Sequence, residues 1–254
     1  MDQWLSNRGL ANSRTHAATL IEQGQVQVFQ NQTSNWHTVT KPSQKISEET
    51  PTDWVRVLEG PGNRYVSRGG LKLEGALAHI HLPVQGLRVL DVGVSTGGFS
   101  DCCLQGGASN VVGIDVGHGQ LAEALNKQKN FSHVEGINAK NLPDYRASIP
   151  ALQTPFDLIV GDLSFISITA ILPHLTAFLG PQGCILFLVK PQFELDSRAL
   201  NKNGVVKDPR SYDIVKAKIL ECCERSGLKV DDYFSSSIEG KDGNKEFFLF
   251  AKTR

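Results

Sequence analysis

Asp91-Val92-Gly93-Val94-Ser95-Thr96-Gly97-Gly98-Phe99 is the stretch that decides the fold. It closes an apolar run, Leu87–Val92, and leads into a helical one. A strand that ends in a glycine-rich turn and passes straight into a helix opens a parallel α/β sheet, because glycine lets the backbone turn tightly and approach a ligand closely. The runs Asn110–Asp115, Phe131–Glu135, Phe156–Asp162 and Cys184–Val189 repeat the pattern, with helical stretches between them. This alternation predicts an α/β domain with helices on both faces of a parallel sheet. A sixth run, Leu228–Phe234, follows a helix expected to be capped by Asp208, with Pro209 in its first turn. A seventh, Glu246–Lys252, leaves a Gly-Lys-Asp-Gly-Asn turn so short that the last two strands are expected to be antiparallel. Five parallel strands with a terminal hairpin are the plan of a Rossmann-like, class I methyltransferase sheet.

Upstream, the pattern changes. Leu5, Leu10, Ala17, Leu20 and Ile21 have helical spacing, and Val26 and Val28 alternate as in a strand. Asn12 or Ser13 can cap a helix that stops at Gly24, and Lys41-Pro42-Ser43 marks a turn. Residues 47–53 are polar, and Gly60-Pro61-Gly62-Asn63 is turn chemistry. The expected division is a small α+β domain over 1–60, a linker over 61–66 and the large domain over 67–254.

The chain has 254 residues, 40% of them hydrophobic, enough to build a core. No apolar run approaches the length of a membrane span, and Met1-Asp2-Gln3-Trp4 lacks the features of a signal peptide, so a cytoplasmic protein is expected. Cys102-Cys103, Cys222-Cys223 and Cys184 lack zinc or redox spacing and read as buried thiols. With only His79-x-His81 as a close histidine pair, no metal site is expected. Twenty-six basic residues balance 26 acidic ones, so any nucleic-acid surface must gather its positive charge on one face.

The glycine spacing at 93, 97 and 98 is not that of a dinucleotide site, where helix amides meet a pyrophosphate. Asp91 would repel a pyrophosphate and attract the cationic amino-acid end of S-adenosylmethionine. Asp115, ending the next strand, suits ribose hydroxyls. The expected cofactor shell is Asp91, Gly93, Ser95, Thr96, Gly97, Gly98, Phe99, Asp115, Val116, Asp162 and Leu163. Asn138 is either a contact to the adenine edge or a simple turn asparagine.

Four charged residues complete the pattern. Asp162 ends the fourth strand, Lys190 the fifth, Glu246 opens the seventh, and Lys72 lies in the helix before the first. Ligands of open α/β sheets bind outside the carboxyl ends of the parallel strands. Methyl transfer to a sugar hydroxyl needs a base to take its proton, and a lysine serves only as the neutral amine. Lys190 is the expected base, Asp162 its orienting partner with Lys72, and Glu246 the orienter of Lys72 or of the sugar.

Several segments together resemble the TlyA (hemolysin-A) family, an S4 domain fused to an FtsJ-like methyltransferase domain. They are Arg8-Gly9-Leu10-Ala11-Asn12-Ser13-Arg14, Tyr65–Leu73, Asp91–Asp101, Asp115–Leu121, Asp162–Ser167, Lys190–Glu194 and Gly204–Pro209. The resemblance implies S-adenosylmethionine-dependent 2′-O-methylation of a cytidine in ribosomal RNA. It also implies a Lys-Asp-Lys-Glu tetrad, in order Lys72, Asp162, Lys190 and Glu246. The implied partner is ribosomal RNA or a ribosomal subunit, with no membrane and no stable protein partner. Arg8, Arg14, Lys41 and Arg68 are the expected RNA contacts, although residues 1–47 carry a net charge of only +2. The family often has an arginine and a leucine ahead of the aspartate at position 2. This chain starts at Met1-Asp2 and ends at Arg254, which resembles the shorter subtype acting on large-subunit RNA. The alternatives are a membrane-active hemolysin, a non-catalytic RNA-binding protein and an oxidoreductase.

Overall fold

The computed structural model describes all residues except Asn12, Ser13, Gln32, Glu59, Pro61, Gly62, Lys241 and Asp242. The expected cap at Asn12 or Ser13, part of the expected linker and part of the last turn therefore lie outside the described residues. The chain forms two compact units, Met1–Arg68 and Gly69–Arg254.

The first unit packs helices α1 (Asp2–Asn7) and α2 (Arg14–Glu22) on a three-stranded antiparallel sheet. Its strands are β1 (Val26–Gln30), β2 (Asn35–Thr38) and β3 (Val55–Val57), in the order β2-β1-β3. Trp4, Leu5, Ala17, Leu20, Ile21 and Val26 fill the core, with Leu10 at its rim. The apolar positions read as helical do face one core: Leu5 lies on α1, Ala17, Leu20 and Ile21 lie on α2, and Leu10 lies in the bend between the two helices. The amide of Gln44 closes the expected turn on the carbonyl of Lys41 at 2.9 Å. Asn63 is held by this unit: its side-chain amide donates to the Leu58 carbonyl at 2.9 Å. The buried Gln25 donates to that same carbonyl.

The second unit begins with α3 (Gly69–His79), β4 (Arg88–Val92), α4 (Gly98–Gln105), β5 (Asn110–Ile114) and β6 (Phe131–Val134). It continues with α5 (Leu142–Tyr145), β7 (Phe156–Gly161), α6 (Leu172–Leu175), β8 (Leu179–Val189) and α7 (Pro191–Glu194). It ends with α8 (Ser211–Arg225), β9 (Leu228–Ser235) and β10 (Phe247–Thr253). The seven strands lie in the order β6-β5-β4-β7-β8-β10-β9. β6, β5, β4, β7 and β8 are mutually parallel, and β10 runs antiparallel to both β8 and β9. Central strands covered on both faces read as continuous apolar runs, which is why β4, β5, β7 and β8 stand out in the sequence. Leu90, Val92, Val112, Ile114, Ile159, Ile185, Phe187 and Leu249 form the middle of the core.

Two local expectations shift. Strand β8 starts at Leu179, five residues before the expected Cys184. Helix α8 starts at Ser211, and Asp208 works in the turn ahead of it, accepting the Arg210 amide at 2.9 Å and its guanidinium at 2.7 Å. All five cysteines are buried thiols outside any disulfide. Among the described residues no helix is long and apolar enough to cross a membrane.

Candidate active site

The sheet order brings the charged residues to one edge. Asp91 lies near the carboxyl end of β4, Asp115 follows β5, Asp162 follows β7 and Lys190 follows β8. Because β10 runs the other way, its start falls at that same edge. Phe247 pairs with Val189, so the register sets Glu246 beside Lys190. Lys72 reaches Glu246 from α3, Nζ to Oε2 at 2.5 Å, and both side chains are buried. Residues 174 apart in sequence are thus joined by one ion pair.

Lys190 Nζ lies 2.6 Å from Asp162 Oδ1, close in distance but outside the angle of a directed hydrogen bond. The ammonium donates instead to Ser164 Oγ at 3.0 Å. Helix α7 begins directly after Lys190 with Pro191 at its first position, where a missing amide costs nothing, so the lysine is fixed where the strand ends. The structure thus gathers the four expected charges as two ammonium–carboxylate pairs, Lys72 with Glu246 and Lys190 with Asp162.

The turn after β4 is built on left-handed backbone. Gly93 has φ +85°, and a Cβ there would lie 2.8 Å from Leu163 Cδ2 and 3.3 Å from the Asp162 carbonyl. Gly97 has φ +95°, and a Cβ there would drive into Leu125. Ser95 also takes positive φ, and its amide donates to Asp115 Oδ2 at 2.7 Å. The Gly117 amide donates to the other oxygen at 2.7 Å. A carboxylate accepts about four hydrogen bonds, so Asp115 keeps acceptor capacity for a diol. Val116 stands 68% exposed beside it, an apolar surface for a flat ring.

Asp91 is 1% exposed. Ser100 Oγ donates to its Oδ2 at 2.7 Å, and Oδ1 has no partner among the described residues. Burial, reinforced by the charges of Asp162 and Asp115 and opposed by Ser100, pushes the Asp91 carboxyl up to about 7. Three carboxylates at one strand edge suit a cationic group and a ribose and disfavour a pyrophosphate, which fits S-adenosylmethionine and not a dinucleotide.

Other expected contacts separate. Gly98 is the buried first residue of α4 and Thr96 lies half-buried, its carbonyl accepting the Ala122 amide. Phe99 is buried and stacks on Phe248, centroids 6.3 Å apart, so it packs the core. Asn138 caps the next turn, its Oδ1 accepting the Lys140 amide at 3.1 Å, which is the turn role. Arg8, Arg14, Lys41 and Arg68 are exposed. Arg8 donates to the Glu48 carbonyl at 2.6 Å and to Thr52, and Arg14 pairs with Asp2 at 3.0 Å.

Sequence reasoning missed Ser164, Ser100 and Phe165 as site residues. Phe165 is 91% exposed, takes φ +64° and touches the Phe193 ring at 5.2 Å. Its signal was present: an aromatic three residues after Asp162, beyond the end of an apolar strand.

The profile of FtsJ-like methyltransferases matches residues 65–253, and that of the S4 domain residues 1–50. The chain is 36% identical over its full length to the 16S/23S rRNA (cytidine-2′-O)-methyltransferase TlyA of Mycobacterium tuberculosis, covering 90% of that protein. A solved structure described as a hemolysin, from Streptococcus thermophilus, superposes with TM-score 0.73 at 33% identity, over 99% of this chain and 87% of that one. A methyltransferase from Mesorhizobium loti shares the fold at 18% identity, with TM-score 0.51 over 70% of this chain and 95% of its own. An S4 domain followed by an FtsJ-like methyltransferase domain, matched end to end by such relatives, makes this chain a member of the TlyA (hemolysin-A) family.

Proposed function

We propose that this protein moves a methyl group from S-adenosylmethionine to the 2′-oxygen of a cytidine ribose in ribosomal RNA of the large subunit, in the cytoplasm. The observation that carries this reading is the amine of Lys190, held by Asp162 and Ser164 at the strand edge, with the buried Lys72–Glu246 pair in the neighbouring register. The cytidine 2′-oxygen is the target named for the mycobacterial relative.

S-adenosylmethionine, when bound, supplies an electrophilic methyl group. Asp115 would take its ribose hydroxyls, Val116 would offer a face to its adenine, and Asp91 would attract its cationic end through its field. In its neutral form, after losing its own proton, Lys190 Nζ accepts the proton of the attacking hydroxyl, and Asp162 and Ser164 keep that nitrogen aimed. Glu246 holds Lys72 in place, and Lys72 steadies the developing oxyanion. The exposed Phe165 ring gives an unpaired base a surface to stack on.

Replacement of Lys190 by alanine tests the assignment. Labelled methyl transfer to isolated ribosomal subunits and naked RNA should fall roughly 10²–10⁴-fold, the usual range for a lost acid–base group. S-adenosylmethionine should still bind within about threefold by calorimetry. Near-wild-type turnover, or a methyl group mapped to a base rather than a sugar, would reject the reading.

A further inference from the structure

Glu194 has no role in the site described so far, yet its side chain is only 1% exposed. It is the last residue of α7, four after Lys190. A buried carboxylate is costly unless donors surround it. Here Ile168 donates its amide to Oε1 at 2.7 Å, Ser167 donates its hydroxyl to Oε2, and Lys218 of α8 lies 3.3 Å from Oε2. Lys218 also donates to the Glu194 carbonyl at 3.1 Å.

These partners join the same two segments that meet in the tetrad. Residues 162–167 and 190–194 run side by side with four cross-links: Asp162 and Ser164 to Lys190, Phe165 to Phe193 and Ser167 to Glu194. The first two hold the reacting amine, the third lies at the surface, and the fourth reaches the buried Glu194 carboxylate. The loop carrying Asp162, Ser164 and Phe165 is thus pinned at its far end by Glu194, with α8 as backing.

We propose that Glu194 is a positioning residue for methyl transfer. It fixes the segment 162–167 against 190–194, so that Asp162 and Ser164 hold Lys190 Nζ in one place. A leucine would fill the volume but accept from neither Ile168 nor Ser167. The inference rests on the methyl-transfer reading above.

The test compares Glu194→Ala, Glu194→Gln and Ser167→Ala in the full chain, assayed well below each melting temperature. Glu194→Ala should lower kcat roughly 10- to 100-fold, the scale at which displaced catalytic groups are felt. KM for RNA and the Kd for S-adenosylmethionine should stay within about threefold, since neither contact is removed. Glu194→Gln keeps an acceptor for Ile168, so it should recover kcat to within about fivefold of wild type, and Ser167→Ala should fall between the two. A lower melting temperature with unchanged kcat per folded molecule would overturn the proposal, leaving Glu194 a structural anchor only. A crystal structure of Glu194→Ala is independent of activity. Asp162 and Ser164 still at 2.6 and 3.0 Å from Lys190 Nζ would overturn the positioning role, whereas their displacement would support it even if the RNA target proved different.

Discussion

At the scale of single residues, the site runs on charges held out of water. Asp91 shows the consequence most directly. Its folded value of about 7 lies above the ordinary 3.8, so the neutral form is favoured in the folded chain. That contribution to stability is complete below about 3.8 and is lost as pH rises through about 7. Asp91→Asn keeps an acceptor for Ser100 and carries no charge. The variant should therefore melt above wild type at pH 8, by roughly 2–4 °C for each kcal/mol relieved, and the gap should narrow as pH falls below about 7 and close only towards about 3.8. Calorimetry on the same protein should show weaker S-adenosylmethionine binding, because the field that draws the cation is gone. A variant that melts no higher at pH 8 would show that Asp91 is solvated and unperturbed.

At the scale of elements, the loop after β7 carries a conflict between backbone and side chain. Phe165 holds a left-handed φ of +64° while exposing nearly its whole surface, so nothing in the core repays the conformation. Non-glycine residues at such angles cost roughly 1–2 kcal/mol. If the ring stacks on a base, worth about 1–3 kcal/mol, Phe165→Ala should weaken RNA binding roughly 5- to 100-fold. S-adenosylmethionine affinity should not change. Phe165→Gly should melt no lower than Phe165→Ala, since glycine adopts the angle without penalty. Equal RNA affinity in wild type and Phe165→Ala would assign the ring to Phe193 alone. The elements also show what could be read from the sequence. The apolar stretches of β5, β7 and β8 run straight into Asp115, Asp162 and Lys190, and β4 carries Asp91 next to its last residue, so both the sheet and its working edge were legible. Strand β2, Asn-Trp-His-Thr, is almost wholly polar and exposed, and β3 is three residues long, so neither leaves a pattern to find. Phe99 was expected at the cofactor because it adjoins the glycines. Helix α4 turns it inward onto Phe248, a direction that sequence adjacency does not carry. Glu194 was visible only as one acid in a family segment, because its partners Ser167 and Lys218 lie 27 and 24 residues away.

At the scale of the whole molecule, a chain with balanced charge would have to gather its cations locally to take a polyanion. The first unit differs in how its cations are engaged. Arg14, at the start of α2, is paired with Asp2 at the start of α1, and Arg8 is tied to the Glu48 carbonyl and Thr52, whereas Lys41 is an exposed cation on the turn after β2. Each phosphate neutralised adds about 0.7–0.9 to the slope of log affinity against log salt. Lys41→Ala should therefore weaken RNA binding similarly for every sequence tried and flatten that slope by about 0.7–0.9. Asp2→Asn tests the opposite direction. It releases Arg14 from an exposed ion pair, which itself contributes little to stability, and raises the net charge of residues 1–47 from +2 to +3. RNA affinity at low salt should rise, the slope should steepen, and the advantage should fade as salt screens it. A slope unchanged in both variants would move the RNA-binding charge away from α1, α2 and the turn after β2, onto Arg68 at the end of the first unit and the basic residues of the second.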